Sequence, residues 1–238
     1  MENQVLQAIA RLFSSTPAPL AASEVASSKL TYLPEAKLEN ISRSIDEVQR
    51  TGVRGAFVEF GVALGGSGIF ICRKMDRRRK FIGFDLFGMI PAPGAKDDEK
   101  SHQRYAIIAS GKSDGIGGDR YYGYEPDLLG KVKESFASYG APVDGRRIRL
   151  IPGLFEETLP KTNLGDIAFA HIDCDWFDPV TLCLETVYKN LSIGGVIILD
   201  DYNDYGGCKR ATDEFLGRHR DIKLLDSTHN AVLRREAI

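Results

Sequence analysis

The sequence predicts an α/β fold: a mostly parallel seven-stranded sheet with helices on both faces and an antiparallel strand closing one edge. Three observations predict it. Short apolar runs alternate with stretches of helical periodicity, the runs IAFAHI and GGVIIL are joined by one helix-length segment, and the last two runs are separated only by a turn. About 13 helical residues cover ~20 Å, close to the length of a six-residue strand, so IAFAHI and GGVIIL fit one right-handed parallel crossover unit.

The chain begins with an arm, residues 1–34. Val5, Ile9, Leu12 and Phe13 recur at helical spacing, and a Ser/Pro/Ala-rich stretch from Ser14 to Ser28 follows. The arm either caps one edge of the core, or joins subunits or covers a ligand. A single domain, residues 35–238, comes next. Its first helix, Pro34 to about Thr51, puts Leu38, Ile41, Ile45 and Val48 on one stripe, and Gly52 stops it.

The first strand, Ala56 to Phe60, is interrupted only by Glu59, and then passes through Gly61, Gly65, Gly66 and Gly68 into a helix that includes Ile69 to Met75. Glycines let the backbone approach a ligand, and a helix N-terminus presents free N–H groups. The spacing is not the dinucleotide fingerprint, because Ile71 stands where the third glycine belongs, and Ile69 spoils a nucleophile elbow begun at Gly65. The basic run Arg77 to Lys80 ends that helix in solvent. In the second strand, KFIGFDLFG, Asp85 stands at the carboxyl end, where an acid accepts hydrogen bonds from ribose hydroxyls or serves the backbone.

Residues 88–127 are rich in Gly, Pro, charge and tyrosine and far exceed a normal connection, which marks a lid or substrate loop. Tyr121, Tyr122 and Tyr124 either contact a substrate or seal the lid to the core. Gly111-Lys112-Ser113 is not a phosphate loop, since Ala106 replaces the first glycine. Beyond the lid, Leu128 to Tyr139 forms a helix and Arg147 to Ile151 a strand that leaves through Pro152, Gly153, Leu154 and Phe155. In the crossover unit, Asp178 and Pro179 supply an N-cap and first helical residue, and the helix runs to about Leu191 before Ser192 to Gly195 turns the chain back. Cys208 to His219 is a further helix, and Ile222 to Leu225 and Ala231 to Leu233 make the closing hairpin.

The crossover unit delivers Asp173, Asp175, Asp200 and Asp201 to one carboxyl edge. Neighbouring strands lie ~4.8 Å apart, so Asp173 meets Asp200 and Asp201 around one point. Carboxylates crowded there repel unless neutralised, and a divalent cation with oxygen ligands, Mg²⁺ first, is the natural candidate.

Composition narrows the rest. With 31 basic and 33 acidic side chains, the chain has no electrostatic signature for nucleic acid or an anionic membrane. No apolar stretch approaches the ~20 residues of a membrane span, and MENQVLQAIARLF is amphipathic rather than signal-like. Cys72, Cys174, Cys183 and Cys208 have no zinc spacing and suit a reducing compartment, so the expected location is cytoplasmic.

FVEFGVALGGSG, the long insertion GMIPAPG…GIGGDRYYGYEPDLL, HIDCDWFDP and GGVIILDDY together resemble the macrocin O-methyltransferase family, the TylF/MycF type, over roughly residues 35–235. The resemblance implies a Rossmann-like class I methyltransferase fold and Mg²⁺-dependent transfer from S-adenosylmethionine to a sugar hydroxyl of a natural product or glycan. By position, Asp173, Asp200 and Asp201 match the metal ligands; Glu59, Gly61, Gly65 and Ser67 match the first cofactor loop. Asp85 and Leu86 match the ribose side, Gly153 and Phe155 the adenine side, and Asp173 also borders the cofactor. The expected partners are a small glycoside or sugar and further copies of the chain, as a homodimer or larger homo-oligomer.

For the general base the first choice is Asp173 and the second Asp175. Trp176 and Tyr202 join the three tyrosines as candidate substrate contacts, and His171 is a hydrogen-bonded wall residue rather than a ligand. Three alternatives stay open from sequence: a catechol-type phenol as acceptor, a nicotinamide-dependent oxidoreductase, and a non-catalytic sugar- or nucleotide-binding protein.

Overall fold

A computed structural model describes residues 20–237, so the helix expected over residues 2–13 lies outside the described residues. Seven strands form one sheet: β1 Ala56–Phe60, β2 Phe81–Asp85, β3 Ile148–Pro152, β4 Ile167–Ile172, β5 Leu191–Leu199, β6 Ile222–Asp226 and β7 Ala231–Arg235. Their order is β3-β2-β1-β4-β5-β7-β6, with β1 to β5 parallel and β7 antiparallel to both neighbours. This is the seven-stranded α/β architecture expected. Strand order reverses between β1 and β4, and in such sheets ligands bind beyond the carboxyl ends at that switch point.

The helices are α1 Ala22–Ala26, α2 Glu35–Arg50, α3 Gly66–Lys74, α4 Glu99–Ala109, α5 Leu128–Ser138, α6 Phe155–Thr158, α7 Phe177–Asn190 and α8 Gly206–Arg218. Alternation along the strands sorts the core into two layers. Phe57, Phe81, Phe169 and Ile198 face α2, α3 and α5, whereas Val58, Phe84, Ala170 and Leu199 face α7 and α8. Both faces are apolar, which is why the parallel strands are continuous hydrophobic runs.

Local expectations fail where a distant residue supplies the missing contact. The crossover helix starts at Phe177, not after Asp178, because the Phe177 N–H donates to Asp97 Oδ1 of the insertion at 2.7 Å. Asp178 therefore sits inside the first turn, where a carboxylate suits the helix dipole. The expected turn at Ser192 to Gly195 belongs to β5 as an irregular segment, its register slipping where Ile167 pairs with Leu191 and Phe169 with Val196. The helix that includes Ile69 starts at Gly66, with Gly65 at φ 94° as its N-cap, and ends at Lys74 with Met75 as its C-cap. The insertion, which gave no helical signal in sequence, contains α4, capped by Asp98, which accepts from Ser101 N at 2.9 Å. Only Ser101 and Ile108 of α4 are buried, so it has almost no apolar stripe to detect.

Candidate active site

The exits of β1 and β4 touch. A Cβ on Gly61, which has φ 90°, would overlap the Asp173 carbonyl, so this crossing requires glycine. Asp85 at the end of β2 holds the turn that follows β1: its Oδ2 accepts from Val62 N and Ala63 N, each at 2.8 Å, and its Oδ1 from Phe87 N at 2.5 Å. Burial pushes the Asp85 carboxyl up despite these three N–H donors, which oppose the shift.

Two adjoining cavities open over this edge. One, of about 320 Å³, is bordered by Thr31, Tyr32, Gly61, Ser67, Tyr121 and the aspartates. The other, of about 470 Å³, runs between Asp85, Leu86, Pro91, Gly153, Leu154 and Phe155. They share Gly61, Asp85, Ile90, Tyr122, Asp173, Asp175 and Trp176 as a common wall. A long ligand lying across that wall would present its middle to Asp173 and Asp175.

Asp173, Asp200 and Asp201 each offer one carboxylate oxygen, all within 4.8 Å of one another. Asp200 is held from the side by Lys37, whose Nζ donates to its Oδ2 at 2.8 Å, to its carbonyl at 3.0 Å and to Asp204 Oδ2 at 2.6 Å. Asp200 Oδ1 is buried with no hydrogen-bond partner. Burial pushes Asp173 and Asp201 well above the usual carboxylate range, with Asp200 adding to both. Burial acts on Asp200 in the same sense, but His171 and Lys37 outweigh it and hold its carboxyl below the ordinary value. An unmatched buried oxygen within a set of three hard donors fits a divalent cation such as Mg²⁺, whose binding would release the crowded protons.

Asp175 stands beside this cluster and borders both cavities. Its backbone takes φ 59°, uncommon outside glycine, and its N–H donates to Asp201 Oδ2 at 3.1 Å. Burial first, then Asp200, raises its carboxyl to about 7.

The insertion, residues 88–127, crosses above, in the place a lid would occupy. Asp97 and Asp98 are adjacent, and each serves the N-terminus of a core helix: Asp97 caps α7 at Phe177 N, and Asp98 Oδ2 accepts from Gly206 N of α8 at 2.8 Å. A Cβ on Gly207 would overlap Asp97 Oδ1, and one on Gly206 would come within 2.6 Å of Asp98 Oδ2. The Trp176 indole N–H donates to Pro91 O at 2.9 Å, and Lys100 Nζ to Asp204 O at 2.5 Å. Arg104, one turn further along α4, borders the smaller cavity with its guanidinium 5.8 Å from the Tyr121 ring centre.

Of the residues singled out in sequence, Gly61, Ser67, Asp85, Leu86, Gly153, Phe155, Asp173, Asp175, Tyr121, Tyr122 and Trp176 border one or both of these cavities, as do Asp200 and Asp201. Four stand elsewhere. Glu59 is wholly buried, with its Oε1 3.0 Å from His171 Nδ1. Gly65 packs against Phe136 and Val132. Tyr124 ties the lid to itself, donating to Ile108 O at 2.5 Å and accepting from Ser113 N at 3.2 Å. Tyr202 points away to Asp213, donating at 2.8 Å. Lys37, Arg104, Tyr205 and the Thr31 to Leu33 segment border the smaller cavity without having been singled out. Lys37 left a signal: it sits four residues before Ile41 on the buried stripe of α2, where a lysine needs a partner.

The strand order, the glycine turn after β1 and the acids beyond β4 and β5 define a protein of the class I methyltransferase fold. The family model for macrocin-O-methyltransferase (TylF) matches residues 18–114 and 127–230, and the chain belongs to that family. It is 29% identical over 192 residues to the 8-demethyl-8-(2,3-dimethoxy-α-L-rhamnosyl)-tetracenomycin-C 4'-O-methyltransferase of Streptomyces olivaceus, covering 77% of this chain and 66% of that one. Against the mycinamicin III 3''-O-methyltransferase of Micromonospora griseorubida it is 28% identical, covering 79% of this chain and 71% of that one. The chain thus spans about two thirds of the length of these curated relatives. Among solved structures, the O-methyltransferase NovP superposes with a TM-score of 0.72 at 25% identity, over 87% of this chain and 82% of that one. Among the described residues no helix is long and apolar enough to cross a membrane.

Proposed function

We propose that this protein transfers the methyl group of S-adenosylmethionine to a sugar hydroxyl of a glycosylated natural product or glycan, with a divalent cation, Mg²⁺ first, at Asp173, Asp200 and Asp201. The observation that carries this reading is the common wall of the two cavities, which brings a nucleoside-sized cleft and a cation-binding carboxylate set together at Asp173 and Asp175. The names of the relatives support the acceptor class, since the tetracenomycin and mycinamicin enzymes are named as O-methyltransferases and the former's name specifies a rhamnosyl unit.

Asp85, Leu86, Gly153 and Phe155 hold the adenosine, and the turn from Gly61 to Ser67 the methionyl end. The acceptor enters the smaller cavity between Tyr32, Tyr121 and Trp176. When bound, S-adenosylmethionine supplies the electrophilic methyl group, and the cation lowers the pKa of the accepting hydroxyl and orients it.

The chain's own residues manage the proton. Asp175 is the better base, in place of the first choice Asp173, because both border the two cavities but Asp173 is one of the three clustered donors whereas Asp175 stands outside them. Its carboxylate takes the hydroxyl proton as the ether forms, and the lid closes the site against water. Lys37 keeps Asp200 ionised and in place.

Calorimetric titration with S-adenosylhomocysteine, with Mg²⁺ and with chelator, tests the reading. Binding of S-adenosylhomocysteine, followed by Mg²⁺-dependent methylation of a rhamnoside, supports it. Absence of S-adenosylhomocysteine binding, or turnover undiminished by chelator, overturns the cofactor or the metal assignment respectively. Assembly as a homo-oligomer in the cytoplasm belongs to the same reading and is tested by light scattering of the purified protein and by fractionation.

A further inference from the structure

Behind the cation ligands lie two ionisable side chains that border neither cavity. Glu59 and His171 are direct register partners on β1 and β4, on the sheet face covered by α2 and α3, and both are wholly buried. Glu59 Oε1 lies 3.0 Å from His171 Nδ1, and the opposite ring nitrogen, Nε2, lies 3.9 Å from Asp200 Oδ1. On the far side of the same carboxylate Lys37 donates to Oδ2. Acidic and basic side chains therefore alternate along one line: Glu59, His171, Asp200, Lys37.

This line also holds most of the unmatched polar atoms of the interior. Among the described residues four buried side-chain atoms lack a hydrogen-bond partner, and three of them are Glu59 Oε2, His171 Nε2 and Asp200 Oδ1. Burying ionisable groups costs several kcal/mol each, and apolar residues of the same size would fill a sheet interior more cheaply. Groups kept there in spite of that cost need a role beyond packing. Their position supplies one. Asp200 Oδ1 is the free oxygen of a ligand, and the imidazole is the group that stands directly behind it.

We propose that Glu59 and His171 are positioning residues for the cation site, a role that rests on the metal assignment above. Glu59 holds the ring by Nδ1 and thereby turns Nε2 toward Asp200 Oδ1, 3.9 Å away. The carboxylate is then held by Lys37 on one side and backed by the His171 ring on the other, and faces the cation together with Asp173 and Asp201. The far end of the line reaches the glycine turn, for a Cβ on Gly68 would lie 2.6 Å from Glu59 Oε2. Gly68 thus makes room for Glu59 from above, a role separate from letting a ligand approach.

The test is Mg²⁺ titration of full-length protein, followed by calorimetry, beside S-adenosylhomocysteine titration of the same samples. His171→Leu should weaken Mg²⁺ by about 10- to 100-fold, the range for residues that orient metal ligands, while leaving S-adenosylhomocysteine affinity within about twofold. His171→Gln, which keeps a donor toward Asp200, should recover part of the loss, and Glu59→Gln should weaken Mg²⁺ less than His171→Leu does. Unchanged Mg²⁺ affinity in folded His171→Leu and Glu59→Gln overturns the proposal, as does a parallel fall in both affinities. Should the variants fail to fold, nitrogen NMR of the wild-type imidazole replaces them: a His171 shift on adding Mg²⁺ but not S-adenosylhomocysteine is expected, and no shift overturns the relay. Wild-type protein that binds neither ligand sinks the methyltransferase reading as well, whereas normal binding with indifferent variants sinks the relay alone.

Discussion

The floor and the lid of this site are built on different principles. The floor is the carboxyl edge of five parallel strands, and its acids are placed by strand register, by buried partners such as Lys37 and His171, and by two apolar layers beneath. The lid crosses it on a few polar attachments: Asp97 and Asp98 on two helix N-termini, Trp176 on Pro91, and Lys100 on Asp204. Breaking a floor contact means leaving a buried charge unmatched, while a lid contact exchanges with water at small cost. On the proposed function, this difference gives the chemistry to the floor and the choice of acceptor to the lid. The family match covers residues 88–114 of the insertion but omits residues 115–126, the stretch that contains Tyr121, Tyr122 and Tyr124.

The comparison is broken most decisively at the floor. Asp200→Asn should abolish methyl transfer and its divalent dependence, a loss on the order of 10³-fold or more in rate, with S-adenosylhomocysteine affinity largely kept. Wild-type turnover of that variant in chelator would show that the floor carries no metal chemistry. Asp175→Asn should lower kcat by about 10²- to 10⁴-fold with Mg²⁺ affinity changed only a few-fold, which separates a base from a ligand. An equal collapse of Mg²⁺ binding would place Asp175 among the ligands instead.

A lid substitution should act on a different quantity. Asp97→Ala removes the cap of α7 and should cost about 1 kcal/mol locally. It should raise KM for the acceptor more than it lowers kcat and make residues 90–124 more sensitive to protease. Unaltered cleavage of that segment would mean the two aspartates do not hold the lid down. The smallest effect belongs to Tyr202→Phe. Loss of its bonds to Asp213 and Lys209 should cost about 1 kcal/mol of stability, read by thermal melting, with kcat unchanged. A change in kcat would return Tyr202 to the substrate contacts.

The same division explains what the amino-acid sequence discloses. The floor is legible because an apolar strand ending in an acid states both its burial and its direction: Asp85, Asp173, Asp200 and Asp201 all stand at strand exits and all border a cavity. The lid is not, because its order comes from partners far away in the chain. The start of α7 depends on Asp97, 80 residues upstream of Phe177, and no local pattern at Asp178-Pro179 could reveal it. α4 lacks the apolar stripe by which helices are recognised. Within the floor the illegible part is the layer below the surface. Glu59, matched to the first cofactor loop by resemblance, points inward instead to His171, a partner 112 residues away that nothing in the strand's own pattern names.

Gly206 and Gly207 have a consequence for anyone recombining members of this family. Asp98 lands on Gly206 N of α8 and Asp97 passes beside Gly207 to Phe177 N of α7, both where the glycine lacks a Cβ, so these two glycines lie more than 100 residues from the acids they make room for. A chimera that exchanges residues 88–127 alone inherits whatever side chains the host carries at those two positions. A host alanine at the second would collide with Asp97 and hold the transplanted lid open. The exchangeable module is therefore discontinuous, an insertion plus a diglycine from another part of the chain, and domain swaps designed on contiguous segments will divide it.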